Sequence, residues 1–182
     1  TVPDFEAGEL EGALARLRAG GADHAVLSGG EPTLHPELPR LVGHARALGF
    51  RTIELQTNGV RLADDTYAAE LVAAGLTKAT VSLHSADAAV SDRITRLPGA
   101  FGRTERGIDA LRRLGVETQI AHVITKENYQ ALPRMARYLA EFADWLRPLR
   151  ERIIVADHHL HGDPDVARWR LVRTTDAAST QV

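Results

Sequence analysis

The stretch VLSGGEPTLHPEL, residues 26–38, joins the end of an apolar run to two glycines, an acid and a proline. The apolar residues predict a buried strand, and the spacing after the second proline predicts a helix. Gly29 and Gly30 carry no Cβ, so a ligand can approach their backbone closely. Glu31 offers a carboxylate acceptor, and Pro32 cannot continue a strand. From these residues alone, a ligand-binding loop and a simple tight turn are both open interpretations.

The same order of elements repeats along the chain. Apolar residues at helical spacing end four times at a glycine, and a short apolar or alternating segment then follows. The predicted helices cover 4–20, 36–49, 64–75, 103–115 and 127–146, and the predicted strands cover 24–28, 50–57, 77–85, 116–125 and 150–157. Strands that alternate with helices predict βαβ units and a parallel sheet. The expected fold is α/β, either a TIM-like barrel or an open doubly wound sheet.

Polar residues follow the predicted strands, at the edge where parallel sheets of both kinds bind ligands. The segments expected to meet on one face are 28–32, 56–59, 82–85 and 122–125. Asn58 and Gly59 form a polar turn that a simple Asx turn would also explain. Ser82 and His84 are two residues apart and therefore face the same side of their strand. Ligand contact and a satisfied buried pair are both open for them, while His122 is a candidate whose alternative is a core histidine.

Composition excludes several classes of protein. At 182 residues the chain has the length of about one domain, and its net charge of −2 gives no electrostatic case for nucleic acid. No apolar run approaches the ~18 residues of a membrane span, and the N-terminus lacks the apolar core of a signal peptide. With no cysteine, the chain has neither disulfides nor thiolate ligands for a metal. We expect a cytoplasmic protein.

A second candidate site lies in the segment DHHLHGD, residues 157–163. Its candidate ligands are Asp157, His158, His159, His161 and Asp163. Because His159 and His161 are two apart, an extended chain would place both imidazoles on one side, where they suit zinc, manganese or iron. One functional hypothesis is therefore a His/Asp metal-dependent hydrolase. A polar loop that lines the mouth of the barrel, or that contacts substrate, is the alternative.

The ordered set of motifs resembles the radical SAM enzyme family. LSGGEP, LQTNG, VSLHS, PGAFGRT and VITKENY follow one another in the family's order and spacing, from about residue 8 to about residue 145. The resemblance implies a partial (β/α)6 barrel that binds S-adenosylmethionine at a 4Fe-4S cluster held by a CxxxCxxC loop. It further implies that cleavage of S-adenosylmethionine yields a 5′-deoxyadenosyl radical, which abstracts hydrogen from a substrate. The protein supplies position and electrostatics for this chemistry.

The resemblance also assigns residues to the site. The implied cofactor-binding residues are Gly29, Gly30, Glu31, Pro32, Asn58, Ser82, Arg96 and Val123. The loop 29–32 would hold the methionine ammonium, with Glu31 accepting a charge-assisted hydrogen bond. Arg96, with Arg93 as the second candidate, would pair with the carboxylate of S-adenosylmethionine, although a solvated helix residue is the alternative for either. His84 and His122 would face a small-molecule or peptide substrate, and an electron donor such as flavodoxin or ferredoxin would be the partner.

The family's cysteine loop does not occur in this chain, although the family binds its cluster there. By family topology, the chain begins at the first helix, so we expect the first strand and the cluster loop to be missing. Three explanations are a fragment, which we favour, a cluster-free pseudoenzyme or binding protein, and a strand supplied by another chain. We therefore expect an incomplete radical SAM core over 1–163, inactive alone, a partly irregular extension over 164–182, and an exposed sheet edge.

Overall fold

The structure is a computed structural model that describes residues 6–142. Its four parallel strands form one sheet in the order β1-β2-β3-β4. The strands are β1 (His24–Leu27), β2 (Thr52–Thr57), β3 (Lys78–Ser82) and β4 (Glu117–Ala121). The helices are α1 (Ala7–Ala19), α2 (Leu38–Ala47), α3 (Asp65–Ala74), α4 (Ala88–Thr95), α5 (Ala100–Arg113) and α6 (Leu132–Phe142). Short 3-10 turns cover Pro32–Leu34, Arg61–Ala63 and Tyr129–Ala131. The predicted α/β fold with a parallel sheet is confirmed.

Several predictions fall on residues outside this range. The fifth strand at 150–157, the segment DHHLHGD at 157–163 and the boundary between 163 and 164 all lie beyond residue 142. None of the helices within residues 6–142 has both the length and the apolar character of a membrane span.

Aspartate side chains cap the starts of two helices, α3 and α4. The Asp64 carboxylate accepts hydrogen bonds from the amides of Thr66 and Tyr67 and begins α3. The Asp87 carboxylate does the same for Ala89 and Val90 and begins α4. An N-cap of this kind contributes about 1 kcal/mol. The sequence analysis did not predict α4, which has only 8 residues and therefore too few turns for a clear helical period.

One face of the sheet packs against the helices and forms the apolar core. Strand residues on this face alternate with exposed or polar ones, as the period of two requires. The strand residues of the core are Ala25, Ile53, Leu55, Ala79 and Val81, and the helix residues that join them include Leu38, Val42, Leu71, Ile108 and Leu111. None of these ten side chains is more than 3% exposed, and each buried leucine or isoleucine contributes roughly 1.5–3 kcal/mol.

The opposite face of the sheet, called here the open face, is polar. At its centre Glu54 is only 6% exposed. Its carboxylate accepts a hydrogen bond from the Thr80 hydroxyl at 2.7 Å, and it lies 3.0 Å from His24 Nε2 and 3.5 Å from Lys78 Nζ. Burial acts to raise the pKa of Glu54, but the Thr80 bond and the charges of Lys78 and His24 outweigh it and lower the pKa. Neighbouring residues of the open face thus stabilise the ionised carboxylate of Glu54.

The sheet has an unpaired edge at β1. β1 pairs with β2 from His24 opposite Thr52 to Leu27 opposite Leu55. Within residues 6–142, no strand lies on the other side of β1. The predicted exposed edge is confirmed for the described part of the chain.

Candidate ligand-binding site

A cavity of about 430 Å³ opens at the carboxyl ends of the four strands. The lining consists of Ser28, Gly29, Gly30, Glu31, Gln56, Thr57, Asn58, Thr80, Ser82, His84 and Ala121. The carboxyl edge is where parallel sheets of this kind bind ligands. Three of the four predicted segments therefore meet as expected, and β4 contributes Ala121, which comes just before the predicted segment 122–125.

The first strand end is the loop of two glycines. Gly29 has a φ of +155°, which only glycine adopts without strain. Gly30 has no such requirement, and a Cβ built on it would meet no heavy atom of the described chain within 4 Å. Neither backbone conformation nor packing within residues 6–142 explains the glycine at position 30. A ligand that approaches the backbone more closely than a Cβ allows would explain it.

The Glu31 carboxylate joins the ends of β1 and β2. Its Oε1 accepts hydrogen bonds from the Thr33 amide at 3.1 Å and from the hydroxyls of Thr33 and Thr57, both at 2.6 Å. Its Oε2 accepts from the Asn58 amide at 2.7 Å. The sequence analysis expected this carboxylate to accept from a ligand ammonium. In the structure it already binds donors of the protein, and the ammonium contact stays a prediction.

The second strand end is held in place by α5. Asn58 Oδ1 accepts from the Val60 amide at 2.9 Å, which is the Asx turn that the sequence analysis gave as the alternative. The Thr104 hydroxyl of α5 donates to the Asn58 carbonyl at 2.8 Å. A Cβ on Gly107 would lie 2.3 Å from the Gly59 carbonyl oxygen, so the helix touches the turn directly. Asn58 is therefore both a structural turn residue and part of the cavity wall.

Asn128 joins the ends of β3 and β4. This residue is 1% exposed, and its Nδ2 donates to the carbonyls of His84 at 2.7 Å and Val123 at 2.8 Å. Its Oδ1 accepts from the Thr125 amide at 2.7 Å. Asn128 directly precedes the 3-10 turn Tyr129–Ala131, but its side chain makes no cap hydrogen bond there. The amide instead bridges two strands.

The two histidines near this bridge are held by backbone groups. His84 Nδ1 accepts from the Val123 amide at 3.4 Å, and His122 Nδ1 donates to the Leu83 carbonyl at 2.8 Å. Within the described residues, His122 Nε2 is buried without a hydrogen-bond partner. Burial lowers the pKa of both imidazoles, and His122 lowers that of His84 further. Both rings are therefore neutral at pH 7.

Other predicted site residues do not line the cavity. Pro32 begins a 3-10 turn, and Arg96 is an exposed residue with a left-handed φ of 56° at the end of α4. Arg93 is exposed on α4, Val123 is 43% exposed, and His122 lies outside the lining. Their contacts with a cofactor or substrate stay predictions.

Thr80 lines the cavity, but the sequence analysis did not select it. Gln56 also lines the cavity, as part of the predicted segment 56–59, although it was given no role of its own. Gln56 follows the buried Leu55 and Thr80 follows the buried Ala79, so both belong to the open face. The period of two that placed Ser82 on this face also extends back to Thr80 and could have identified it.

The described residues contain no group of three or more histidine, cysteine, aspartate or glutamate side chains that could hold a metal ion. The hydrolase hypothesis therefore depends entirely on the segment 157–163, outside the described range. The chain also has no cysteine, so it supplies no thiolate ligand for an iron–sulfur cluster.

Comparison with known proteins decides the family. Residues 3–139 match the sequence profile described as the Radical SAM superfamily. The chain belongs to this superfamily. Members use S-adenosylmethionine and a 4Fe-4S cluster, as the motifs in the sequence implied. The predicted resemblance is confirmed.

Two curated relatives illustrate the extent of the sequence similarity. It is 34% identical to the AdoMet-dependent heme synthase of Methanosarcina barkeri over 109 residues, which are 60% of this chain and 31% of the relative. It is 35% identical to the PqqA peptide cyclase of Xanthomonas axonopodis pv. citri over 142 residues, which are 78% of this chain and 36% of the relative. The chain spans about a third of the length of these relatives.

A solved radical SAM structure agrees with the fold. The structure titled "Native anSMEcpe with bound AdoMet" superimposes with a TM-score of 0.62 at 22% identity and covers 78% of this chain and 41% of that chain. The same protein with a bound Kp18Cys peptide gives a TM-score of 0.63. The described four-stranded sheet and its helices are thus similar in fold to part of that structure, as the predicted TIM-like barrel implies.

Proposed function

We propose that this chain binds S-adenosylmethionine as part of the core of a radical SAM enzyme. The observation that carries this proposal is the unused space beside Gly30, at the mouth of the cavity. The glycine backbone is open to a ligand there, and polar side chains at the ends of β2 and β3 line the same cavity. The polar lining of the cavity supports binding of the methionine and ribose groups of this cofactor, whereas the cluster would need cysteines that this chain does not contain.

The chain's own residues would bind and orient the cofactor. The backbone of Gly29 and Gly30 would approach the methionine ammonium, and the Ser82 hydroxyl would bind the ribose or carboxylate. Asn58 would form the wall beside them, and His84 would face the substrate as a neutral imidazole. The residues of the glycine loop, Asn58 and Ser82 would thus hold S-adenosylmethionine, which together with a reduced cluster would supply radical chemistry for abstraction of hydrogen from a substrate.

The substrate class we propose is a small molecule or a peptide. A peptide is supported by the PqqA peptide cyclase, whose name includes one and whose similarity extends over 78% of this chain. An electron donor such as flavodoxin or ferredoxin would reduce the cluster. We place the reaction in the cytoplasm, where reducing conditions keep cluster-binding thiols available.

Substitution of Gly30 tests the cofactor site. We expect Gly30→Ala to leave the urea midpoint unchanged, because the new Cβ meets no heavy atom of the described chain within 4 Å. We also expect it to weaken S-adenosylmethionine binding at least about tenfold, since the methyl group occupies ligand space. Binding would be measured anaerobically on the full-length protein loaded with its cluster. Gly43→Ala is the matched control, because its Cβ also lies in open space, but on α2.

The same preparation tests the reaction. Added reductant should produce 5′-deoxyadenosine from S-adenosylmethionine. Binding without cleavage would support the cluster-free pseudoenzyme instead. Equal affinity of Gly30→Ala and the unmodified protein would refute the proposed site.

A further inference from the structure

The Glu31 carboxylate is almost fully used by the protein itself. An ionised carboxylate has about four lone-pair sites, two on each oxygen. Oε1 accepts from three donors of Thr33 and Thr57, and Oε2 accepts from the Asn58 amide. At most one site on Oε2 is left for a ligand. Hydrogen bonds to a charged acceptor are also the stronger kind, so this arrangement resists displacement.

Glu31 fixes the position of the Asn58 backbone. Its N–H donates to Glu31 Oε2 at 2.7 Å, and its carbonyl accepts from the Thr104 hydroxyl at 2.8 Å. The backbone of one cavity-lining residue is thus fixed at both polar groups, once from the end of β1 and once from α5. Thr57, the residue before it, is 4% exposed and donates to the same carboxylate at 2.6 Å.

We propose that Glu31 is a positioning residue, whose carboxylate fixes the Thr57–Asn58 turn in its binding shape before any ligand arrives. This role differs from the direct ammonium contact that the family resemblance implies. The backbone of Gly29 and Gly30, with at most one lone pair of Glu31 Oε2, then binds the ligand cation. The other lone pairs of the Glu31 carboxylate hold the Thr57–Asn58 turn in place. The proposal relies on the proposed function only for the identity of the ligand.

Hydrogen exchange of the ligand-free protein tests the positioning role. Glu31→Gln keeps the side-chain size but replaces one acceptor oxygen with an NH2 donor. The donors that bind either Oε1 or Oε2 therefore lose their acceptor. We expect the Asn58 amide to exchange at least about tenfold faster, as for loss of a bond to a charged group. Amides of β4 should not change. A residue that only touched a ligand would leave Asn58 exchange unaltered.

Thr33→Val gives a second, milder perturbation should Glu31→Gln fail to fold. It removes a hydroxyl that donates to Glu31 Oε1 at 2.6 Å, and Thr33 is fully buried and outside the cavity lining. We expect Asn58 exchange to rise about three- to tenfold. Thr118→Val is the matched control, because Thr118 is also buried but its hydroxyl donates to Val116 on the helix side of the sheet.

Cofactor affinity provides the second readout, on the cluster-loaded full-length protein. Thr33→Val should weaken S-adenosylmethionine binding several-fold, whereas Thr118→Val should not. Unchanged Asn58 exchange in either Glu31→Gln or Thr33→Val overturns the proposal. Faster exchange with unchanged affinity also overturns it, because Glu31 would then support only the fold. If the unmodified protein binds no S-adenosylmethionine, the proposed function fails, and the exchange rates alone decide whether Glu31 fixes the turn.

Discussion

Replacing Gly107 with alanine should destabilise the protein, although alanine is normally the better helix residue. The new Cβ would lie 2.3 Å from the Gly59 carbonyl oxygen and 3.1 Å from Leu62 Cβ. Optimal separation of such atoms is about 3.5 Å, so α5 or the turn must move by about 1 Å. The obstacle is backbone, which no rotamer change relieves. Overpacking of this kind costs roughly 1–3 kcal/mol or more, against a gain of roughly 0.5–1 kcal/mol from helix propensity.

A second glycine in a helix separates the cost of overpacking from the gain in helix propensity. Gly43 lies inside α2, and a Cβ there would meet no heavy atom of the described chain within 4 Å. Gly43→Ala should therefore stabilise the protein by roughly 0.5–1 kcal/mol. The propensity gain is common to both variants, so we expect their free energies of unfolding to differ by the packing cost alone, roughly 1–3 kcal/mol, measured by urea denaturation followed by circular dichroism. Equal stability of the two variants would refute the close contact between α5 and the turn.

The remaining predictions concern polar groups of the sheet. Asn128→Asp should lower the free energy of unfolding by about 2–3 kcal/mol, because a carboxylate oxygen then faces two carbonyls; a urea midpoint equal to that of the unmodified protein would contradict this. Burial lowers the pKa of His84 and His122, so the unfolded state takes up protons first, and stability should fall as the pH drops below about 6.5. His122→Gln should reduce that loss in unfolding measured between pH 7 and pH 5, and an identical pH profile would count against it. The pKa of Glu54 is lowered, so its stabilising contribution should be lost as the pH falls below the ordinary value of 4.5, and Glu54→Gln should flatten that acid limb of the unfolding curve.

The sheet could be predicted from the sequence because its apolar residues alternate and its helices end at glycines. α4 could not be predicted in the same way. It has 8 residues, and its start depends on a single carboxylate, that of Asp87. The left-handed conformation of Arg96 was also beyond sequence reasoning, since a non-glycine residue adopts it only under constraint from its surroundings.

The site was predicted less completely than the sheet. Motif order identified the glycine loop, Asn58, Ser82 and His84, and these residues do line one cavity. The partners of Glu31 were not predictable, because Thr57 lies 26 residues away in sequence and meets it only when β1 and β2 are in register. Asn128 was missed for the same reason, since its bond to His84 joins residues 44 apart.

The division of the sheet into an apolar and an open face bears on how this protein can change. A substitution on the helix side disturbs interlocking side chains of several helices at once, so few alternatives survive there. Val26 and Gln56 belong to the open face and are exposed to solvent, so they can vary without repacking a helix. Side chains of the open face can therefore change one at a time, whereas the stability of the fold depends on the face that packs against the helices.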